Sequence, residues 1–404
     1  MAGGSAPAQA YDAGRDHRQD AHRREPPGGD RRALTIDAIE AVDLELPYPG
    51  PFRPAWRPGL VSRSRRFTFV TVRTAQGLAG YAGTDGHHAS VVRRDVAPYL
   101  VGAPADALEQ HARVFRNAGG MWFIDLALWD LIGKAAGLPL YRMWGWERDC
   151  VPAYASTCTL GSPQDRAELV RHYRDNGYTA AKLRFHHDDI RADLELLDAA
   201  IAAAPGLTFM VDANQATDLP SPQSAGRWDY RRAADVARAL EERGVLWLEE
   251  PLARYDFAGL ARLTRNTSLY IAGGEYNRGL HEFRWLIEQE VYDIVQADCT
   301  VSEGISQMRK IAAMAEMCHR HFIPHHGLSG LGLAAGIHLA CCVPGMSWVE
   351  MMYEPQTRSY EAYQQLGGIL DTPIRVDASG RVRPPDGPGL GIKVNEQMLS
   401  EYAV

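Results

Sequence analysis

The 404-residue chain lacks any CxxC pair: of its six cysteines, Cys150, Cys158, Cys299, Cys318, Cys341 and Cys342, only the last two are close, and they are adjacent. That spacing argues against both a zinc site and a disulfide framework, and reduced thiols in a cytoplasmic protein are the expectation. No run of about 18 apolar residues is present, so no membrane-spanning helix is expected. An excess of positive charge is missing too. The formal net charge is −7, which disfavours a general nucleic-acid binder, whose phosphate contacts need clustered Lys and Arg. A small anionic substrate stays open, because a bound metal ion reverses local charge.

What is present reads as globular: 46 % apolar and 23 % charged residues, ordinary for a folded enzyme or binding protein. The length exceeds one ordinary core, and one barrel plus a smaller domain is the simplest fit. Residues 1–33 are rich in Gly, Ala, Pro, Arg and Asp, without the apolar centre of a secretory signal. They are expected to be a disordered extension. Strand patterns cover Thr35–Leu46, Arg66–Arg73 and Leu78–Gly83, with a Pro-rich loop Pro47–Ser62 between the first two. Helical patterns follow at His88–Leu100, Asp106–Asn117 and Phe123–Ala136, the last closed by Gly137. From Val151 short apolar strands alternate with amphipathic helices. The strands are Val151–Ser156, Ala180–Phe185, Thr208–Asp212, Leu246–Glu249, Tyr270–Gly274, Asp293–Ala297, His321–Pro324 and Ser347–Met351. Eight strands with seven intervening helices predict a parallel α/β barrel. The tail after about Glu354 is irregular.

Active sites of such barrels sit where the strands end, and here those ends are polar. Lys182 and Arg184 share a face of the second strand. Asp212, followed by Asn214, ends the third strand, Glu249 and Glu250 the fourth, Glu275 the fifth and Asp298 the sixth. His325 and His326 end the seventh, and Glu350 lies on the eighth. Charges at strand ends are costly to bury unless paired or bound to metal. Asp212, Glu249 and Glu275 come from consecutive strands, about 4.8 Å apart, and repel one another unless a cation sits among them. Hard oxygen ligands suit Mg²⁺. A carboxylate, Asp298, beside the imidazole of His325 suits a general base. His326 is a rival if a tight turn follows Pro324.

Together these segments resemble the mandelate racemase/muconate lactonizing group of the enolase superfamily, mandelate racemase-like branch. The carrying stretches are IDLALWDLIGKAAGLPLYRMWG (124–145), GYTAAKLRF (177–185), VDANQA (211–216), WLEEPL (247–252), AGGE (272–275), DIVQAD (293–298), IPHH (323–326) and PPDGPGLGI (384–392). The resemblance implies a modified TIM barrel of (β/α)7β type, residues 151–355, with an N-terminal α+β capping domain, 34–150. Residues 356–404 would pack back on the cap. It implies one Mg²⁺ per subunit on Asp212, Glu249 and Glu275, with Glu250 outside the metal's shell and Asn214 orienting the site. His325–Asp298 would be the base dyad, Glu350, protonated, would bond a substrate carboxylate oxygen, and Lys182 would neutralise that carboxylate. A homo-oligomer, dimer or octamer, and a small carboxylate substrate are implied as well.

One departure matters. The second lysine of the family's KxK motif is a base, and here it is Arg184. Arginine, with a pKa above about 12, is a poor proton acceptor but a good clamp. It could instead form a salt bridge with a strand-end carboxylate. A racemase wants a base on each face of its substrate, whereas a dehydratase needs one. This favours dehydration of an acid sugar to a 2-keto-3-deoxy acid. The alternatives are a racemase or epimerase of a 2-hydroxy or amino acid, and a non-catalytic family member. Substrate contacts are expected from Pro47–Ser62 and Tyr81–His87, and a lid from Thr217–Trp228. Arg53, Arg57, Arg63, Arg65 and Arg66 could meet a second carboxylate or could equally be a solvated basic face, and His186 and His187 lie near the mouth.

Overall fold

The structure, a computed structural model, describes residues 34–217, 222–223 and 226–404. The expected N-terminal extension lies outside the described residues, as does part of the expected lid.

Three strands, β1 (Ile36–Phe52), β2 (Ser62–Thr74) and β3 (Ala79–Asp85), form an antiparallel sheet in that order. β1 runs further than its sequence predicts, through Pro47, Pro49 and Pro51, with an irregular register before Phe52 meets Ser62. As an edge strand it has one side that needs no ladder donors, which is where proline is tolerated. The helix expected over His88–Leu100 is broken into Ala89–Val91, a π-helical turn Val92–Val96, and Ala97–Leu100. Pro98 lacks the N–H and collides with the carbonyl four residues back in a regular helix. The helix Ile124–Ala136 ends at Gly137, left-handed at φ 67°, as its sequence predicts. Its Asp125 accepts hydrogen bonds from Ser306 N (2.7 Å) and Ser306 Oγ (3.0 Å), tying it to the helix Ile305–Met317.

Eight parallel strands make a second, curled sheet: β4 (Val151–Ser156), β5 (Ala180–Arg184), β6 (Thr208–Asp212), β7 (Trp247–Glu249), β8 (Tyr270–Gly273), β9 (Ile294–Val295), β10 (His321–Phe322) and β11 (Val349–Met352). The ladder runs β11-β4-β5-β6-β7-β8-β9-β10, and a helix separates each strand from the next in sequence. This is the α/β class that the alternation predicts, with the parallel strands curled as in a barrel. No ladder joins β10 to β11 among the described residues; β10 is two residues long and offers little backbone to pair. The tail is less irregular than its composition suggests. β12 (Arg381–Val382) pairs antiparallel with β4, Ala403 bridges to Leu44, and Glu396 accepts from Tyr81 Oη at 2.7 Å. All six cysteines are free, and no helix among the described residues is long and apolar enough to cross a membrane.

Candidate active site

Inside the curl, the strands' period of two builds stacked layers. The lower layer is apolar: Tyr154, Ala180, Met210, Trp247, Ala272, Ile294 and Ile323 pack together, all buried. Two residues further along the same strands stand Ser156, Lys182, Asp212, Glu249, Gly274, Gln296 and His325. The alternation that fills the core therefore also delivers the polar ring. Glu275 is one residue out of phase. Gly274, at φ 129°, turns the chain so that the Glu275 carboxylate reaches the centre, 2.7 Å from His325 Nε2.

Asp212, Glu249 and Glu275 are each paired with a different cation of the chain. Asp212 takes Arg184 Nη1, Glu249 takes Lys182 Nζ at 2.7 Å, and Glu275 takes His325. Lys182 also lies 2.9 Å from Glu350 and 3.5 Å from Asp212. Glu249 is fixed from below by Trp247 Nε1 (3.2 Å) and from its own layer by Gln296 Nε2 (3.0 Å). Asn214, at φ 48°, donates its backbone N–H to Asp212 at 2.7 Å. The three carboxylates are spread by these pairings. The trio among the described residues whose ligand atoms all lie within 4.8 Å of one another is instead His186, His187 and Asp193. That trio closes the turn after β5: Asp193 accepts His186 N at 3.1 Å and bonds His187 Nδ1 at 2.7 Å, with the Arg232 guanidinium 3.7 Å away supplying its positive charge.

The donor set fits a hard divalent cation. Asp212, Glu249, Glu250, Asp298 and Glu350 are buried, and the Glu275 side chain is 12 % exposed. These six carboxyl groups face two permanent cations, Lys182 and Arg184. Both oxygens of Glu250 are buried without a hydrogen-bond partner. Burial, then Glu275, Asp212 and Glu249, push its carboxyl well above the usual range. Such a surplus of buried anionic oxygen is what a metal ion relieves.

Asp298 is the most firmly held of these acids. Its Oδ1 accepts Thr300 N and Thr300 Oγ1 (both 2.7 Å) and Val301 N (3.2 Å); its Oδ2 accepts Gly327 N (3.0 Å) and lies 2.6 Å from His325 Nδ1. Burial would raise its carboxyl, but His325 and these donors hold it far below the carboxylate range. Burial likewise disfavours the imidazolium of His325, yet Glu275 and Asp298 outweigh it and hold the ring protonated. His326 is the ring without a carboxylate: its Nδ1 meets Tyr363 Oη and the Leu328 N–H. Burial and the charge of His325 keep it neutral.

One expectation changes, and one of two alternatives for the cap arginines drops out. Burial favours a protonated Glu350, the form the resemblance implies, but Lys182, His325 and Arg184 pull its carboxyl well below the usual range. None of the five cap arginines lines the cavity at the strand ends, which has a volume of about 280 Å³. Arg65 is committed to Asp85 (2.7 Å) and to backbone carbonyls, and Arg53, Arg63 and Arg66 are exposed. His186 and His187 are outside it as well. The two cap segments contribute Trp56 and Asp85, and the cavity is completed by residues the sequence did not single out, among them Tyr276, Leu328, Met352 and Arg358.

Comparison with known proteins places this arrangement. Residues 165–398 match the family described as enolase C-terminal domain-like, and residues 52–145 match the mandelate racemase/muconate lactonizing enzyme N-terminal domain. The chain belongs to the mandelate racemase/muconate lactonizing enzyme family of the enolase superfamily. This family member is 32 % identical to an L-talarate/galactarate dehydratase of Salmonella typhimurium over 90 % of its own length and 91 % of the relative's. It is 28 % identical to a D-galactonate dehydratase family member of Streptomyces bingchenggensis, over 92 % and 95 %. Its fold is shared with L-talarate dehydratase from Polaromonas sp. JS666, solved with Mg and L-glucarate (TM-score 0.78, 24 % identity, 92 % and 97 % covered). Like these dehydratases, it is an enzyme.

Proposed function

We propose that this enzyme removes the proton α to the carboxylate of an acid sugar and expels the β-hydroxyl, giving a 2-keto-3-deoxy acid. The observation that carries the reading is that one base is available: His325, oriented by Asp298. Arg184, where a second base would stand, is engaged with Asp212, Thr157 O (3.0 Å) and Ser156 Oγ (2.9 Å). Burial would weaken its hold on the proton, but Asp212, Glu350 and Glu249 more than offset this. A racemase of this type would need it to exchange a proton.

In this reading residues 34–150 cap a barrel of residues 151–355, and residues 356–404 pack back on the cap. Asp212, Glu249 and Glu275 would hold one Mg²⁺ per subunit, which supplies Lewis-acid stabilisation to the charge growing on the substrate carboxylate and takes up the Glu275 charge that keeps Nε2 of His325 protonated. Lys182, positioned by Glu249 and Glu350, supplies a second positive charge to that carboxylate. His325 takes the α-proton at Nε2, and Asp298 stabilises the imidazolium. The same N–H then gives its proton to the departing hydroxyl, which leaves as water. The enol left behind becomes the 2-keto acid. Asn214 and Arg184 border the substrate.

The test is a screen of the protein with Mg²⁺ against mono- and diacid sugars, reading 2-keto acid formation. Product that disappears in His325→Asn is expected. If Mg²⁺ binds but no acid sugar is consumed, the reading fails. Deuterium entering the α-carbon without loss of water would point to the isomerase alternative.

A further inference from the structure

Arg358 is the buried charge that this mechanism leaves unused. It follows β11 and is 6 % exposed. Its guanidinium lies among aromatic rings, 4.7 Å from the centre of Phe52, 4.9 Å from Tyr363 and 5.5 Å from Trp56. Its side-chain hydrogen bond is a long one, Nη2 to Tyr48 Oη at 3.5 Å, and its Nε is buried with no partner. The acids nearest to it are already engaged. Glu354 is taken by Arg166 (3.2 Å) and by Cys158 N (2.8 Å), and Asp85 by Arg65 (2.7 Å). A buried cation with no anionic partner is costly. Structure alone does not require it, since an aliphatic side chain would fill the same aromatic cage.

The guanidinium borders the cavity that also holds His325 and Arg184. Arg184 lies 5.7 Å from the centre of the Trp56 ring that Arg358 also faces. From the other side, Tyr363 links Arg358 to His326, whose ring is 3.9 Å from that of His325. Arg358 is thus one side chain removed from Arg184 on one path and two from His325 on the other, a separation that suits the far end of a short sugar chain.

We propose that Arg358 binds a second carboxylate at the distal end of the substrate, so that the preferred acid sugar is a diacid. This rests on the acid-sugar reading above. One free positive charge matches one carboxylate rather than a doubly charged phosphate. Arginine's planar fork and a carboxylate's two oxygens pair well in a site screened from water.

The experiment is titration calorimetry in Mg²⁺ with matched six-carbon pairs, glucarate with gluconate and galactarate with galactonate, together with a 6-phosphogluconate control. The full-length protein is expected to bind at least one diacid about tenfold or more tightly than its monoacid partner, and Arg358→Met to shrink that ratio below about threefold. If Arg358→Met fails to fold, Arg358→Lys carries the test, with an intermediate ratio expected. The inference is overturned by equal affinity for both members of every pair, by a ratio that survives in the variant, by tighter binding of the phosphate, or by no diacid binding at all. Diacid preference in binding without 2-keto product would sink the dehydratase reading and leave this one standing. Product from monoacids with no diacid preference would do the reverse.

Discussion

Asp298→Asn changes one oxygen to an NH2 group, and the surroundings dictate how that amide must sit. Three donors converge on Oδ1, from Thr300 N, Thr300 Oγ1 and Val301 N, and two face Oδ2, from Gly327 N and the His325 ring. The amide oxygen is therefore expected at the Oδ1 position, leaving the NH2 against Gly327 N–H and His325 Nδ1. The NH2 can only donate, so His325 must carry its proton on Nε2 and accept at Nδ1. Nε2 is the atom proposed to take the α-proton, and in this tautomer it is occupied. A positioned general base contributes about 10²–10⁴ in rate, so kcat should fall by about 10³–10⁴, roughly 4–5.5 kcal/mol of barrier. Leaving Gly327 N–H unpaired should cost about 1–3 kcal/mol of stability. The assay is 2-keto acid formation beside α-proton exchange in deuterated water, with urea melts and Mg²⁺ titrations to show that the fold and the metal site persist. A variant that keeps a tenth of the wild-type rate would refute the tautomer argument.

Arg184→Met should cost about 3–5 kcal/mol without metal, because it leaves buried Asp212 with only the longer 3.5 Å contact to Lys182 as its ion pair. Mg²⁺ should restore part of the loss, as denaturant melts with and without the ion would show, and a loss under about 1 kcal/mol would contradict the pairing. Gly274→Ala forces a side chain to φ 129°, with its Cβ 3.3 Å from Gln296 N. About 1–3 kcal/mol of strain and weaker Mg²⁺ binding by calorimetry are expected, since Glu275 depends on that turn. Asp125, pushed up by burial from an ordinary 3.8 to about 6, is penalised in the fold when ionised. The penalty is absent below the unfolded value and complete above about 6. Relative to Asp125→Asn, the wild type should therefore gain up to about 3 kcal/mol as pH falls from 7 to 4. A pH-independent difference would rule this out.

The chain's most readable parts are those where one periodicity serves two purposes. β4 and β6 match their predicted limits because their in-facing residues alternate without interruption up to Ser156 and Asp212. The strand-end residues Lys182, Asp212, Glu249, Asp298 and His325 are legible for the same reason, whereas Glu275, out of phase, is brought in by the turn at Gly274. Pairing Asp298 with His325 rather than His326 needed the backbone after Pro324, where Gly327 N returns to the same carboxylate. The reach of β1 through three prolines was hidden because edge position is a property of the sheet, not of the segment. Arg358 was hidden because it sits in a stretch with neither helical nor strand period, and its cage joins nearby Tyr363 to Phe52 and Trp56, which lie at the other end of the chain. The charge state of Glu350 depends on Lys182 and Arg184 of β5 and on His325 beyond β10, a sum that no local pattern carries.

The two-layer strands also divide the labour of future change. A one-residue slip in β5, β6 or β7 would put a polar group in the floor and an apolar one among the proposed metal ligands, so those segments have little freedom to vary. Trp56, Asp85, Leu328 and Arg358 border the same cavity yet stand on no strand of the parallel sheet. A mutagenesis library confined to these four positions would retune which molecules are accepted while the proton-moving groups stay where the barrel sets them.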